Sequence, residues 1–461
     1  MSVSFDAQQV YKHIRYLSEE IGARFSGSEN DRKATDYIRA YFNDLGLDVQ
    51  EQSFGLTSGT HEKSGMQVLE PDLGEIPCFP FIFSSEPGMQ EIIGEVVFVE
   101  GVEAPWIGTH LRGKIVVWTW PDSMEIFASY QKLVRQKPLA IILLSAGFGT
   151  QPKHLQMPGE LKAPYQKVPT FFIRWEDGFK MFKEKASRVR LYVHVEKQES
   201  ETRNVIAELK GTDFPDEIVL IGGHHDSVYN VPGAMDNAAG VAAVMELARI
   251  YSQRGTKRTI RFIAWGAEEF GLWGSKRYLK LLKEEDKKER KEVHFYDDVD
   301  KTELDKHLLV VSLDVLGVAL TKDVCFVLGT EDINAVLAHL SKELGIPHDV
   351  KNAFYGTDSI PFAKAGIPTI SYASVGGGAG TQLMHTPADN LEIIDMDHLQ
   401  RSGDFIDTFL QRSVAGAQAW PFKREVPEKQ QKDLEKAEES YKWIFEQDEG
   451  EDQNKEQTSP E

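Results

Sequence analysis

The sequence predicts an α/β fold: a mostly parallel sheet covered by helices on both faces, interrupted by an inserted β-rich domain. Three observations predict it. From residue 204 onward, apolar strand-like runs alternate with helical segments, the order that builds parallel sheets with crossover helices. Between about 68 and 197 this gives way to short β-rich runs separated by Pro and Gly. The 461 residues also exceed one ordinary core, so two or three domains are expected.

In order, residues 7–21 and 29–46 read as helices, with Ile14, Leu17 and Ile21, then Ala34, Ile38, Tyr41, Phe42 and Leu45, at helical spacing. Gly46 stops the second, and residues 47–54 read as a strand. The insertion carries GEVVFVEG, GKIVVWTW, AIILLSAG, VPTFFI and VRLYVHVE, with helical interludes near 124–135 and 176–185. No cluster of His, Cys and carboxylates falls in it, so a structural or substrate-gating role is expected. The α/β pattern resumes with NVIAELKG and EIVLIGG, then the helix 240–253, RTIRFIAW, a helix near 272–283, LLVVSLDVLG, the helix 333–344, PTISYAS and a last helix near 396–417. The mixed-charge stretch 284–307 reads as a solvated extension. The expected division is a discontinuous α/β domain of residues 1–67 and 198–422, an insertion of 68–197, and a charged tail of 423–461. Within that tail Leu434, Ala437, Tyr441 and Ile444 form a narrow stripe that can dock on its own domain or a second subunit, and the last dozen residues are expected to be disordered.

Composition excludes several functions. A formal charge of -20, from 72 acidic against 52 basic residues, argues against a nucleic-acid binder. Cys78 and Cys325 alone make neither a disulfide framework nor a thiolate metal cluster, so any metal here uses imidazole and carboxylate. No stretch approaches the ~18 apolar residues of a membrane span. The segment MSVSFDAQQVYKHIRYL lacks the pattern of a leader, so a cytoplasmic location is expected.

The chain is organised around residues 218–240, IVLIGGHHDSVYNVPGAMDNAAG. A buried strand delivers His224 and Asp226 at its carboxyl end, on one face, where the carboxylate can orient the imidazole. Asp236 follows among small residues that let backbone approach closely. Glu268 and Glu269 follow RTIRFIAW in a turn, Asp314 ends LLVVSLD, and His385 stands in QLMHTPADN. All lie where open α/β sheets collect their sites. Two histidines (His224, His385) and three carboxylates (Asp236, Glu269, Asp314), without Cys, suit Zn²⁺ or Mn²⁺. Five ligands exceed one tetrahedral ion with an open position and fit two ions sharing a carboxylate.

With HHDS at 224–227, MDNAAG at 235–240, AEEFGLWGS at 267–275, SLDVLG at 312–317, HTPADN at 385–390 and RFSGSENDRKATDYI at 24–38, the chain resembles metallopeptidase family 28, the dinuclear zinc aminopeptidases. The resemblance covers about 1–60 and 200–415. GKIVVW, AIILLSAG and VPTFFIRWEDG resemble a protease-associated domain within the insertion. The family resemblance implies a three-layer αβα zinc-exopeptidase domain with a mixed, mostly parallel sheet. It implies that His224 and Asp314 hold one zinc, Glu269 and His385 the other, and that Asp236 bridges them, followed by a cis bond to Asn237. Mn²⁺ or Co²⁺ are expected substitutes. Glu268 becomes the general base toward metal-activated water, and no covalent intermediate is needed. Several relatives place a Tyr before the last His, and here that position is Met384. Tyr355, in FYGTDSIPF, is the alternative source of a hydroxyl for the oxyanion. Asp358 and Ser359 in the same stretch read as helix-capping. The loop VGGGAG, 375–380, is expected to bring backbone close to substrate.

The resulting expectation is a dizinc exopeptidase acting on peptides, most naturally an aminopeptidase, with no nucleic-acid or membrane partner. The insertion and the C-terminal helix are the expected oligomer surfaces. Two rivals stand beside it: a carboxypeptidase or dipeptidase of the same family, and a receptor-like binding protein with a dead peptidase domain. The intact ligand set with Glu268 argues against the second.

Overall fold

In the strand Phe214–His224, Val219 and Ile221 join one buried apolar cluster while Ile218 and Leu220 join another. The same alternation recurs in Arg258–Trp265, where Ile260, Phe262 and Ala264 face the first cluster and Ile263 and Trp265 the second. Successive side chains point to opposite faces of a sheet, so a sheet apolar on both must be covered twice. That requirement produces three layers. A computed structural model describes residues 3–81, 84, 88–99, 109–119, 126–145, 151–155, 168–292, 301–376 and 382–440. The chain divides into two units: Met1–Leu56 with Ser200–Leu434, and Thr57–Glu199 with the residues from Glu435.

In the first unit the strand order is His348–Lys351, Lys322–Leu328, Thr369–Gly376, His307–Leu313, Phe214–His224, Arg258–Trp265 and the end of Arg188–Leu209. His307–Leu313, Phe214–His224 and Arg258–Trp265 run parallel, so their carboxyl ends lie together. Antiparallel joins occur between Lys322–Leu328 and Thr369–Gly376, and between Arg258–Trp265 and the Arg188–Leu209 strand. The sheet is therefore mixed and mostly parallel, as expected. One helical layer contains Ala7–Arg15, Glu29–Asp44, Ala239–Arg254, Glu331–Leu344 and Met396–Leu410; the other contains Trp273–Glu292 and Ile360–Lys364. Asp6, Ser28 and Asp395 cap their helices by accepting from Gln8, Asp31 and His398 backbone N–H groups, satisfying donors the helix itself leaves open. The helix Ala239–Arg254 sits unusually close to the sheet. A Cβ on Gly223 would meet Gly240 and Val241 backbone atoms and the Leu313 carbonyl, each at 3.0 Å, so any larger residue would push the helix and sheet backbones apart by a few tenths of an ångström.

Several segments differ from expectation. The strand predicted at 47–54 runs on as Asp48–Glu70, and the two runs near 189–196 and 204–211 are one strand, Arg188–Leu209. Polar residues between such runs look like loops in sequence, but ladder pairing needs only backbone. Lys322–Leu328 and His348–Lys351 were not anticipated as strands. The helix Trp273–Glu292 extends into the charged stretch, which ends in a short helix, Glu303–Lys306, capped by Thr302 and Asp305; residues 293–300 lie outside the described residues.

The second unit has its own core, built on parallel strands Gly88–Val99, Ile115–Thr119, Ala140–Leu144 and Thr170–Ile173, with Ile126–Arg135 and Trp175–Lys183 as helices. In the helix Glu428–Ser440, Leu434 is buried, Gln430 pairs with both the N–H and carbonyl of Gly329, and Gln431 donates to the Ala363 carbonyl. The expected stripe thus docks on its own domain as far as Leu434; Tyr441, Ile444 and the last dozen residues lie outside the described residues. Among the described residues no helix is long and apolar enough to cross a membrane.

Candidate metal centre

The strand Phe214–His224 ends on His224, and the next two parallel strands end at Trp265 and Leu313, just before the Glu268–Glu269 turn and Asp314. Because the three strands are in register, with Trp265 opposite His224 and Ser312 opposite Gly222, their extensions converge. The Glu–Glu turn is closed by Gly271 and Leu272 N–H groups bonding the Glu268 carbonyl, both at 2.8 Å. Asp236 comes from the irregular turn Ala234–Ala238, where it and Asn237 leave helical geometry and share a cis bond.

Asp236 is the centre of the arrangement. His224 Nε2 lies 3.1 Å from its Oδ1, and His385 Nε2 lies 3.1 Å from its Oδ2. On the first side Asp314 Oδ1 stands 3.6 Å and Glu268 Oε2 3.9 Å from His224 Nε2. On the second, Glu269 Oε2 is 3.2 Å from His385 Nε2. Donor atoms of His224, Asp236 and Glu269 all lie within 4.8 Å of one another, close enough to share one ion. The structure thus brings together all five expected ligands and Glu268.

The electrostatics fit cations. Burial opposes charge on His224, but Glu268, Asp226, Asp236 and Asp314 outweigh it and hold the ring's pKa well above the usual value. Burial likewise opposes charge on His385, yet Glu269 and Asp236 raise it to about 10. Burial pushes up Glu268, assisted by Glu269, Asp358 and Asp314, and it also raises Glu269 and Asp314. Asp236 is driven the other way, because bonds to His224 and His385 overcome its burial. Asp314 Oδ1 is buried with no hydrogen-bond donor among the described residues, His224 Nε2 standing too far away at 3.6 Å. Four carboxylates at one point, Asp236 and Asp314 buried and Glu268 and Glu269 partly so, with an acceptor lacking a donor, are a donor set suited to hard or borderline divalent ions.

Around this centre, Asp226 does more than the sequence suggested. His224 Nδ1 lies 3.1 Å from the Asp226 carbonyl and 3.4 Å from its carboxylate, which directs Nε2 at Asp236. The same carboxylate accepts from Ser26 Oγ at 2.8 Å and from the Glu268 and Glu269 N–H groups at 3.2 Å. Tyr355 stacks on Phe326, and its hydroxyl is pushed far above its usual range by burial and then by Asp314, Asp236 and Glu268. Asp358 and Ser359 do not cap a helix. Ser359 occupies the position before Ile360–Lys364, but its hydroxyl pairs with Ser371 at 2.7 Å, and both Asp358 oxygens are buried without a cap bond. Of the VGGGAG loop, residues 377–380 lie outside the described residues.

Three positioning groups escaped sequence reasoning. Asn237 brackets Asp314 by donating to the Leu313 carbonyl at 2.9 Å and accepting from Val315 N–H at 3.3 Å. Asp389 accepts from Met235 and Asp236 N–H groups at 2.7 and 3.2 Å. Arg24 is fully buried among backbone carbonyls. The only signal was their place inside the motifs at 24–38, 235–240 and 385–390, because their partners are main-chain atoms of distant segments.

Known proteins resemble the chain in sequence and in fold. The model of "Peptidase family M28" matches residues 204–410, which hold all five candidate ligands. Aminopeptidase YwaD of Bacillus subtilis is 27% identical over 423 residues, 89% of this chain and 85% of that protein. Human carboxypeptidase Q is 26% identical over 294 residues, 59% of this chain and 61% of that one. The fold matches the crystal structure of BSAP, a zinc aminopeptidase from Bacillus subtilis, with a TM-score of 0.70, 22% identity and coverage of 93% of this chain and 100% of that one. A peptidase M28 precursor from Shewanella amazonensis gives a TM-score of 0.75 at 23% identity, covering 92% and 97%. Over residues 204–410 the chain is thus similar to the peptidases of family M28, and over most of its length to an aminopeptidase.

Proposed function

We propose that the chain is a dizinc aminopeptidase that releases N-terminal residues from peptides. The observation that carries this reading is the pair of imidazoles set 3.1 Å from opposite oxygens of Asp236. In this reading His224 and Asp314 hold one ion, His385 and Glu269 the other, and Asp236 bridges. Two divalent ions bound there would supply Lewis-acid chemistry, acidifying a water and polarising the scissile carbonyl. Glu268, facing the cluster without serving as a ligand, takes the water's proton and hands it to the leaving amine. Tyr355 donates its hydroxyl to the developing oxyanion, and Asp226 holds His224 in the ligating tautomer. The zinc aminopeptidase relatives support both the metal and the reaction. The insertion we take to be a protease-associated-like domain, on the strength of its sequence runs and its separate β-rich core.

The similarity to carboxypeptidase Q favours a second reading, hydrolysis from the other end or of dipeptides. One experiment separates them and tests the first. Purified protein is stripped with chelator, reloaded with zinc, counted for metal, and assayed on amino-acyl anilides against N-blocked dipeptides. Two zinc per chain with hydrolysis that requires a free amine is expected. Glu268→Gln should keep both zinc ions and lose on the order of 100-fold or more in kcat. Full activity in that metal-replete variant, or cleavage of N-blocked substrates alone, would refute the proposal.

A further inference from the structure

Arg24 is a costly residue where it stands. Its side chain is fully buried and, among the described residues, makes no direct bond to a carboxylate. Its fork instead reaches five backbone carbonyls: Nε to His225 at 2.7 Å, Nη1 to Leu17 and Gly22 at 3.1 Å and Pro232 at 2.6 Å, and Nη2 to Gly233 at 2.8 Å. Its own backbone is tied to Ser227, accepting Ser227 N–H at 3.2 Å and donating N–H to Ser227 Oγ at 3.0 Å. Burial lowers the guanidinium pKa to about 10, opposed by Asp389, Asp226, Asp236 and Asp31, so it remains charged at neutral pH. A planar group with five donors can satisfy such a ring of acceptors; an ammonium with three cannot.

Two of those carbonyls belong to the segments that carry metal ligands. His225 follows His224, and Gly233 opens the turn that carries Asp236. From the other side Asp389 grips the Met235 and Asp236 N–H groups of the same turn. A guanidinium donating to the turn's carbonyls and a carboxyl group accepting from its amides fix it at both poles. Gly233 adopts φ +59°, and a Cβ there would lie 3.0 Å from Arg24 Nη2 and 2.4 Å from the Asp236 carbonyl. The turn thus closes around the guanidinium.

We propose that Arg24 is a positioning residue of the metal centre, setting the separation of His224 and Asp236 through the His225, Pro232 and Gly233 carbonyls. It touches neither substrate nor metal. The inference rests on the two-metal reading above. Binding sites tolerate displacements of only about 0.5 Å in their first-contact atoms, so a loosened turn should weaken metal capture before it unfolds the domain.

The test compares Arg24→Lys with Arg258→Lys. Arg258 is an equally buried arginine that holds the Val414 and Ala417 carbonyls and Glu217 at the opposite end of its strand. Zinc dissociation constants are measured by competition with a chromophoric chelator, alongside kcat, KM and thermal unfolding of the metal-free proteins. Both variants should lose thermal stability. Only Arg24→Lys should bind zinc about 10- to 100-fold more weakly, with kcat reduced and KM within about threefold. Equal zinc affinity in wild type and Arg24→Lys, or equal loss in both variants, overturns the inference while leaving the two-metal reading intact. Wild-type protein that binds fewer than two zinc ions overturns that reading and this inference with it. If Arg24→Lys does not fold, Ser227→Ala, which removes the Oγ that accepts the Arg24 N–H and donates to the Val231 carbonyl, should weaken zinc binding several-fold; unchanged affinity there refutes the role.

Discussion

Replacing Asp226 by Asn removes one charge and exchanges one acceptor for a donor without changing size. The consequence can be worked out bond by bond. In the protein Oδ1 accepts from Glu268 N–H, and Oδ2 accepts from Ser26 Oγ and Glu269 N–H. If the amide nitrogen takes the Oδ2 place, the Ser26 hydroxyl can turn to accept, but Glu269 N–H faces a donor. If it takes the Oδ1 place, Glu268 N–H does. Either way one buried backbone donor is left without an acceptor, which costs about 1–3 kcal/mol, and the surviving bonds lose charge assistance. A total of roughly 2–4 kcal/mol follows, which for a unit of this size lowers Tm by roughly 3–7 °C. The damage falls on the turn that aims Glu268 and Glu269 and on the group beside His224 Nδ1. Zinc affinity should therefore drop about 10- to 100-fold, and kcat at saturating zinc by a similar factor. Differential scanning calorimetry of metal-free protein, chelator competition and steady-state kinetics measure the three quantities. Wild-type zinc affinity together with wild-type Tm in Asp226→Asn would show that the carboxylate neither orients the ligand nor holds the turn.

Two further outcomes are expected. Tyr355→Phe should keep its zinc and its KM and lose about 100- to 1000-fold in kcat, the usual effect of deleting an oxyanion donor; a kcat within threefold of wild type assigns that hydroxyl no part in the reaction. His13, buried and bonded to Tyr37 Oη at 2.6 Å, has its pKa lowered to about 4, by burial first and Lys12 second. Between the unfolded value of 6.5 and about 4 the unfolded chain binds a proton that the folded chain refuses, so stability falls as pH falls across that window. Urea unfolding from pH 7 to 4 should show the stability gap between wild type and His13→Gln narrowing by about 3 kcal/mol, and a constant gap would refute the assignment.

The elements most legible in the sequence were those whose side chains face opposite apolar layers. IVLIGGHHD reads as a strand because Val219 and Ile221 must be buried on one side and Ile218 and Leu220 on the other, and it reads as a site because polar residues follow at once. Asp314 and the Glu268–Glu269 pair stand out for the same reason. Each is an acidic residue at the end of an apolar run, a position that costs free energy unless something uses it. The strand Lys322–Leu328 was missed although Val324, Cys325 and Val327 are buried, since it joins the sheet antiparallel and carries no site residue at its end. The supporting groups were illegible for a deeper reason. Arg24, Asn237 and Asp389 bond main-chain atoms of residues far away in the chain, and a backbone N–H or carbonyl looks the same whatever the residue type. Side-chain chemistry announces ligands, which are recognised by what they are. The residues that hold ligands in place are recognised only by where they reach, and that information appears once the fold has closed around Asp236.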